Sequence, residues 1–265
     1  MKVLVLIKLG GSLITDKNKP FTPRIDTIKR VAKEIHEARG EKNFDLIVGH
    51  GGGSFPHVSA SKYKTQKGIV NKESYKGIAV VQNDAARLNR IVVDELLKAG
   101  EKAISIQPSA CCIAENSKIV EWNLTPIKKM LEYGLLPVPY GDVGLDTRQG
   151  CCILSTEEVL GYLGKNLQAK IFISAGIVDG VFTRDPQKDS NAKFIPEIKQ
   201  DNFEKIKYML GGSAGIDVTG GMFHKVEELV ELTKFGIESV IVNADRPNIL
   251  KRALLGEKLG TLIRI

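Results

Sequence analysis

The chain has 265 residues, enough for one large domain or two lobes, and its 43% hydrophobic and 26% charged residues are typical of a soluble globular protein. No apolar stretch reaches the roughly 18 residues of a membrane span, and the apolar run before Lys8 is too short for a signal peptide. The formal net charge of +7 is spread beside acidic residues along the chain, which argues against a nucleic-acid-binding surface and suits phosphorylated substrates.

Strand-like and helix-like segments alternate along the chain, which predicts an α/β protein with a mostly parallel sheet. The predicted strands are Val3–Leu9, Leu46–Val48, Ala103–Gln107, Leu135–Tyr140, Lys170–Ser174, Ser239–Asn243 and Leu259–Ile265. The predicted helices begin at Thr22-Pro23, run from about Glu73 to Lys98, begin again at Thr125-Pro126, and cover Ser155–Leu163, Asp201–Leu210 and Gly221–Phe235. Residues 175–196 are expected to be irregular. A division into lobes would fall near Leu163–Gln168, with both halves sharing one sheet.

Two of these helices have recognisable start signals. Thr22 followed by Pro23 supplies an N-cap hydroxyl and a proline at the first helical position. Ser155 stands three residues before Glu158, which is the spacing of a capping box.

The four cysteines form two vicinal pairs, Cys111-Cys112 and Cys151-Cys152, at the ends of apolar strands. Their spacing is not that of a C-x-x-C motif, and no set of histidine ligands stands nearby. We therefore expect free thiols in a reducing, cytoplasmic compartment and no metal site built from the chain's own side chains.

A run of three glycines, Gly51-Gly52-Gly53, follows the strand Leu46–Val48. Glycine has no Cβ, so the backbone can adopt a positive φ angle and approach a ligand closely. If a helix follows, its free N–H groups and positive dipole end favour phosphate, and His57 stands near enough to donate to the same anion. A plain strand-to-helix turn explains the glycines equally well. A dinucleotide-binding loop is disfavoured, because Ser54 replaces the last glycine of that motif.

The first strand ends at Lys8-Leu9-Gly10-Gly11-Ser12, which puts an ammonium group beside free backbone N–H groups. This is a phosphate site by the same physics as a P-loop, although the P-loop motif itself is absent. Lys17 follows on a polar loop, free to swing over the same site. An exposed loop lysine is usually only solvated, so Lys17 taken alone would be given no function.

A third cluster, Gly220-Gly221, opens a predicted helix, and Lys225 lies about one turn further on. The helix N terminus and Lys225 would then face the same phosphate. The alternative is an N-cap turn with Thr219 or Asp217 as the capping residue, and one residue can both cap and bind. Asp179 follows the predicted strand Lys170–Ser174, and its carboxylate could orient a lysine or face a nucleotide.

Three glycine-rich anion sites and three lysines stand without a nucleophile–base pair or a metal cluster in the sequence. That combination indicates phosphoryl transfer, which asks a protein for positioning and charge neutralisation rather than covalent steps.

Four motifs in this order resemble those of the amino acid kinase superfamily and, within it, of the isopentenyl phosphate kinases. They are Lys8-Leu9-Gly10-Gly11-Ser12, the segment Gly51–His57, Asp179-Gly180-Val181-Phe182, and Asp217–Met222 with Lys225. The match continues to Gly260-Thr261-Leu262-Ile263 and so covers essentially the whole chain. The second and fourth motifs are the most specific, and the histidine points to the subfamily.

The resemblance implies an α/β three-layer sandwich, α/β/α, with a mainly parallel central sheet of about eight strands. Residues 1–165 would form a phosphate-acceptor lobe with the dimer surface, and residues 166–265 a nucleotide-binding lobe on the same continuous sheet. The implied reaction is ATP-dependent phosphorylation of isopentenyl phosphate to isopentenyl diphosphate, with Mg²⁺, by a homodimer that binds neither nucleic acid nor membranes. The acceptor is already a phosphate monoester, so its dianion attacks in line and needs no strong general base.

The resemblance also assigns roles to residues at the matching positions. The catalytic lysines would be Lys8, Lys17 and Lys225. The nucleotide would be bound by Lys8, Gly10, Gly11, Ser12, Gly53, Asp179, Gly221 and Lys225. The acceptor would be bound by Gly52, His57 and Thr156.

The chain departs from the family pattern at three places. Ser155-Thr156-Glu157-Glu158 stands where S-G-D-D is usual, so that a substrate-contacting glycine becomes Thr156 and a lysine-organising aspartate becomes Glu157. Ile177 replaces an acidic residue, and Pro56 replaces a glycine. Altered substrate choice, lower activity and shifted nucleotide geometry all stay open. The alternatives are a kinase of another phosphate, phosphonate or carboxylate, and a nucleotide-binding regulatory module without catalysis.

Overall fold

The computed structural model describes residues 2–186, 188–211 and 220–264, without side-chain detail at 211, 220 and 221. The strands are β1 Leu4–Leu9, β2 Asp45–His50, β3 Ala103–Ile106, β4 Cys112–Glu115, β5 Lys118–Trp122, β6 Leu136–Pro139, β7 Asp142–Asp146, β8 Gly150–Leu154, β9 Ile171–Gly176, β10 Val181–Phe182, β11 Phe194–Ile195, β12 Glu197–Ile198, β13 Glu238–Asn243 and β14 Thr261–Ile263. The helices are α1 Gly11–Ile14, α2 Ile25–Glu41, α3 Pro56–Tyr63, α4 Lys72–Lys98, α5 Pro108–Cys111, α6 Thr125–Glu132, α7 Thr156–Leu167, α8 Gln200–Gly211, α9 Gly220–Thr233 and α10 Ile249–Leu255.

The central sheet runs through both halves of the chain. Its hydrogen-bonded order is β12-β14-β13-β9-β1-β2, and within it only the pairing of β13 with β14 is antiparallel among the described strands. A parallel bridge between His50 and Tyr140 extends this sheet from β2 toward β6, which pairs in parallel with β3. The described strands therefore form the predicted, mainly parallel sheet of about eight strands.

The alternation of side chains along β1 separates the two apolar layers. Leu4 and Leu6 pack in the core beneath α7 and α9, whereas Val5 and Ile7 pack in the core beneath α2, α4 and α10. Successive residues of a strand point to opposite faces, so a continuous apolar run is what a strand covered on both faces requires. The three-layer arrangement follows directly from this pattern.

A second, smaller sheet was not predicted. Its order is β5-β4-β7-β8, and it packs one face against the core that contains α7. Its strands have four or five residues each, too few to show a clear alternation. The region predicted to be irregular, 175–196, also contains a short hairpin of β10 and β11.

The predicted helix start at Thr22-Pro23 is wrong, because α2 begins at Ile25. Pro23 forms an antiparallel bridge with Thr15, and the Thr22 hydroxyl donates to the Pro20 carbonyl at 3.0 Å instead of capping a helix. A long-range pairing has overridden the local signal.

The predicted capping box at α7 is half correct. The Ser155 hydroxyl accepts the backbone N–H of Glu158 at 3.0 Å, as an N-cap should. The Glu158 carboxylate does not return to Ser155; it accepts from Lys118 Nζ at 2.8 Å and from the Ile119 backbone N–H at 2.9 Å. It thereby ties α7 to β5.

All four cysteines are free thiols, as expected, but Cys111 is exposed while the other three are buried. Within the described ranges, no helix combines the length and the apolar character needed to cross a bilayer.

The buried carboxylate of Glu34 joins α2 to the start of α10. Its Oε1 accepts the backbone N–H of Asn248 at 3.0 Å, and its Oε2 accepts those of Leu250 and Lys251 at 3.1 and 3.2 Å. Arg30 balances its charge at 2.6 Å. These N–H groups are the ones that a helix start leaves unpaired, so Glu34 caps α10 from another element.

Glu34→Gln should lower the free energy of unfolding by about 3 kcal/mol, because an amide offers one acceptor where the carboxylate offers two and leaves Arg30 uncompensated. Urea unfolding measures this change. The matched control is Glu41→Gln on the same helix, whose carboxylate meets Lys251 at the surface and should matter by less than about 1 kcal/mol. Equal losses in the two variants would contradict the capping role.

Candidate active site

A cleft of about 510 Å³ opens at the carboxyl ends of β1 and β2. Parallel strands end at the same edge of a sheet, and the register here pairs Leu9 with His50. The glycines that follow each strand are therefore neighbours. The lining residues are Lys8, Gly11, Lys17, Gly51, Gly52, Gly53, Pro56, His57, Ala60, Ser61, Gln66, Val81, Gly141, Asp142, Ile153, Leu154, Ser155, Thr156 and Glu157.

The two glycine loops touch each other without side chains between them. A Cβ on Gly11 would lie 2.7 Å from both Cα and N of Gly53, and a Cβ on Gly51 would lie 3.0 Å from the Gly11 nitrogen. Gly53 also has a φ of +53°, a conformation that glycine adopts without penalty. Both loops thus bring bare backbone to one place, which is the geometry predicted for adjoining anion sites.

Thr15 links the two loops from below. Its hydroxyl donates to the Gly11 carbonyl at 2.7 Å and accepts the Ser54 N–H at 3.0 Å. A Cβ on Gly53 would stand 2.1 Å from the same hydroxyl oxygen. The role of Thr15 could not be predicted from the sequence, because nothing in a single threonine indicates a partner 39 residues away.

A helix follows the second glycine loop, which is the condition that the sequence analysis set for a phosphate site there. It is α3, which begins at Pro56 and carries His57 in its first turn at the mouth of the cleft. Partial burial and the charge of Lys17 lower the pKa of His57. His57 and Lys17 therefore lie within electrostatic range of each other, as the predicted site requires.

The predicted lysines converge. Burial, then the charges of Lys225 and Lys17, lower the pKa of Lys8 to about 7. Burial and Lys17 also lower the pKa of Lys225, although Lys225 does not line the cleft itself. Lys8 thus lies within electrostatic range of Lys17 and Lys225, and Lys225 within range of Lys17, a grouping of cations that would favour a highly charged anion.

Two carboxylates lie among the lysines: Glu157, which the resemblance places at the position of a lysine-organising aspartate, and Glu228, which the sequence did not single out. Glu157, at the start of α7, forms an ion pair with Lys8, and each side chain is 13% exposed. Its contact favours the protonated form of Lys8 and opposes the effect of burial. Burial raises the pKa of Glu228, which stands one turn after Lys225 on α9 and feels Lys8 and Lys118. Glu228 stands three residues after Lys225 on a predicted helix, and this spacing was the sequence signal that could have placed the two side chains on one face.

Part of the cleft lining is apolar. Val81 of α4, Ile153 of β8 and Ala60 of α3 line it, together with the buried carboxyl of Asp142. Burial raises the pKa of Asp142 to about 6, although its oxygens accept N–H groups from Ser109 and Val143.

Thr156, predicted to bind substrate, lines the cleft, but its hydroxyl is engaged within the protein. The hydroxyl donates to the His50 carbonyl at 2.8 Å, which fixes the start of α7 to the end of β2. Gly141 donates its N–H to the same carbonyl at 3.0 Å. Only 3% of Thr156 is exposed, so the contact available to a ligand is small.

His50 supports the second glycine loop from inside the protein. Burial lowers its pKa to about 4, so the ring is neutral. Its Nε2 accepts from Asn89 at 3.1 Å, which leaves the proton on Nδ1 to donate to the Gly51 carbonyl at 3.1 Å. The ring also stacks on Tyr140.

Several predicted nucleotide-binding residues lie outside the cleft. Asp179 lines a separate pocket of about 360 Å³, where it accepts from Asn243 at 2.9 Å and Arg246 at 2.7 Å. Gly10 donates its N–H to the Ala175 carbonyl at 2.8 Å and so joins β1 to β9. Ser12 lies in α1 and Gly221 in the first turn of α9. The predicted capping residues 217 and 219 lie outside the described residues.

The chain is similar to known proteins over nearly its full length. The model of the amino acid kinase family matches residues 3–243. The chain is 38% identical to the isopentenyl phosphate kinase of Methanothermobacter thermautotrophicus and 36% identical to that of Methanocaldococcus jannaschii, in each case over 98% of both proteins. It matches an X-ray structure of an isopentenyl phosphate kinase with a TM-score of 0.84 at 35% identity, covering 98% of this chain and 99% of that one. The predicted fold is confirmed.

The ion pair of Lys8 and Glu157 yields a prediction about titration. Glu157→Gln removes the charge that favours protonated Lys8, so the pKa of Lys8 should fall by a further unit or so, about the effect of one opposite charge in contact. Competitive acetylation of Lys8 at a series of pH values, read by mass spectrometry, measures this pKa. Glu158→Gln is the matched control, because its carboxylate contacts Lys118. Equal curves for the two variants would overturn the assignment.

Proposed function

Because the chain belongs to the amino acid kinase family and, within it, to the isopentenyl phosphate kinases, we propose that it transfers the γ-phosphoryl group of ATP to isopentenyl phosphate. The observation that carries this proposal is the direct contact of the two glycine loops, with Lys8 on one side and His57 on the other. Two anionic groups held there would be adjacent. Bringing them together is the main task that phosphoryl transfer sets a protein.

The acceptor side of the cleft suits a phosphate with an apolar tail. Gly52 and His57 would bind the phosphate at the start of α3, where free N–H groups and the helix dipole favour an anion. The tail would lie against Val81 and Ile153. A cleft of about 510 Å³ has room for a small acceptor of this kind.

The lysines would carry the charge of the reaction. Lys8, with the backbone of Gly11 and Gly53, would hold the ATP phosphates, and Lys17 would stabilise the phosphoryl group as it moves. Gly10 would support this loop from behind, because its N–H is already donated to Ala175. Lys225 would approach from α9. Burial first, and neighbouring cations second, lower the pKa values of Lys8 and Lys225. Bound phosphates would supply the counter-charge that these cations lack.

Mg²⁺ would be held mainly by the triphosphate. In the described residues no group of three or more histidine, cysteine or acidic side chains is arranged to hold a metal. Mg²⁺ commonly takes phosphate oxygens and water as its ligands, so the site fits its delivery with ATP. When bound it would neutralise phosphate charge.

Asp179 and the start of α9 would serve the rest of the nucleotide. This assignment gives residues 166–265 to ATP and residues 1–165 to the acceptor. A homodimer and a cytoplasmic location complete the proposal; the four free thiols suit a reducing compartment.

The altered segment at Ser155–Glu158 is the sequence feature that favours a non-catalytic regulatory module, but the contact that Glu157 keeps with Lys8 supports catalysis. The longer side chain still reaches Lys8, so the organising contact expected of an aspartate is kept. A kinase acting on another acceptor keeps the same phosphate sites, and an assay with several acceptors distinguishes it.

The test is the rate of ADP release with ATP and Mg²⁺ on isopentenyl phosphate, compared with dimethylallyl phosphate, fosfomycin, UMP, acetylglutamate and aspartate. We expect the highest kcat/KM with isopentenyl phosphate. A higher value with another acceptor would replace the substrate but keep the phosphate sites. No turnover with any acceptor, while ATP still binds, would favour the regulatory module.

His57→Ala should weaken acceptor binding about tenfold or more and lower turnover, because a hydrogen bond to a charged phosphate is lost. ATP affinity should be unchanged. Calorimetry with each ligand separates the two effects. His36→Ala is the control, since His36 pairs with Glu101 on the far side of α2; an equal loss of ATP binding in His57→Ala would contradict the assignment.

A further inference from the structure

The loop that carries Lys17 is closed at its base. The backbone N–H of Asp16 donates to the Thr22 carbonyl at 2.9 Å, and Thr15 bridges to Pro23. Lys17 itself is exposed and lies at the cleft. Within the loop, the Asn18 N–H donates to Asp16 Oδ1 at 2.9 Å. Contacts further along the loop then attach its outer part to the rest of the protein.

Phe21, near the end of this loop, has an unusual backbone conformation. Its φ is +52°, in the left-handed region. This region is unfavourable for bulky side chains because the Cβ crowds the neighbouring carbonyl. A residue persists in it only when its surroundings hold it there, and such residues are concentrated at functional sites.

Phe55 and Arg87 hold the Phe21 ring. The Phe21 and Phe55 rings meet edge to face with centroids 5.7 Å apart and an angle of 86°. The Arg87 guanidinium, from α4, lies 5.2 Å from the Phe21 centroid and 6.0 Å from that of Phe55. Both geometries are attractive because the ring faces are electron-rich.

The backbone adds a second attachment at the same place. The Phe21 N–H donates to the Ser54 carbonyl at 3.2 Å, and the Thr22 N–H donates to the Ser54 hydroxyl at 3.3 Å. Ser54 directly follows Gly53 of the second glycine loop. The lysine loop is therefore fastened to the peptide segment that forms an anion site.

We propose that Phe21 is a positioning residue: clamped by Phe55 and Arg87, it fixes the Lys17 loop to the second glycine loop and so holds Lys17 over the transferring phosphoryl group. Phe21 does not line the cleft and acts through Lys17. The inference rests on the proposed kinase function. Its physical basis is preorganisation, because a catalytic cation that need not be ordered during the reaction costs less to use.

Simple packing predicts a different result from positioning. If Phe21 only stabilises the fold, its replacement affects the enzyme whether or not Lys17 is present. If it acts through Lys17, its effect on turnover disappears once Lys17 is removed. A double-mutant cycle therefore separates the two explanations.

The cycle compares Phe21→Ala, Lys17→Ala and the double variant with the unmodified protein on ATP–Mg²⁺ and isopentenyl phosphate. We expect Phe21→Ala to lower kcat about tenfold with little change in KM for ATP, and the double variant to match Lys17→Ala. Phe21→Tyr should restore the activity. Additive losses, or a loss carried only by KM, would overturn the proposal.

A second variant and a second readout keep the proposal testable by other means. Arg87→Met removes the cation but keeps an apolar stem, so it should lower kcat in the same way as Phe21→Ala but by less. It takes the place of Phe21→Ala in the cycle if that variant does not fold. Phe235→Ala is the control, since Phe235 is an exposed ring under Lys165 outside the cleft and should leave kcat unchanged.

The second readout needs no activity. Endoproteinase Lys-C cleaves after Lys17 only when the loop opens, and Pro20 protects the bond after Lys19. Phe21→Ala should speed cleavage after Lys17 about tenfold without substrates. An unchanged cleavage rate would overturn the clamp, whereas an absence of turnover in the unmodified protein would overturn only the proposed function.

Discussion

The close approach of two bare loops is the constraint on which the rest of the site depends. β1 and β2 are parallel neighbours in register, so their carboxyl ends deliver Gly11 and Gly53 to the same point. With a Cβ on Gly11 only 2.7 Å from Gly53, no side chain can stand between them. Both loops line the same cleft, so anions bound to them would lie close together. Phosphoryl transfer between two anions needs this proximity above all.

Before any phosphate binds, such a site must also keep several lysine side chains close together. Lys8, Lys17 and Lys225 influence one another, and Lys8 has a pKa lowered to about 7 chiefly by burial. Glu157 offsets part of the repulsion by its contact with Lys8. Bound triphosphate would supply the remaining negative charge, so the arrangement would favour phosphates over neutral molecules. Binding of an anionic substrate would relieve the repulsion among the lysines, and this relief would add to the affinity.

The loops are rigid because buried polar groups hold them from beneath. Thr15 connects both loops through one hydroxyl, and neutral His50 anchors the Gly51 carbonyl while Asn89 occupies its other nitrogen. Phe21 fastens the Lys17 loop to the same segment from the outer side. The sequence analysis treated the Lys17 loop as free to swing; the structure anchors it at Thr22 and at Ser54.

The sequence by itself determined what depends on neighbours along the chain: the apolar alternation of β1, the helical spacing of α4, and the glycine runs that end β1 and β2. It also supplied the lysines. Only the tertiary structure decided the partners. Glu157 and Lys8 are 149 residues apart, and no local pattern joins them. The same reason explains the errors, since Thr22-Pro23 carries a good helix start that pairing with Thr15 overrides. The spacing of residues along the chain determines local helix and strand geometry. Charge pairs and contacts between loops form only after the sheet brings distant strand ends together.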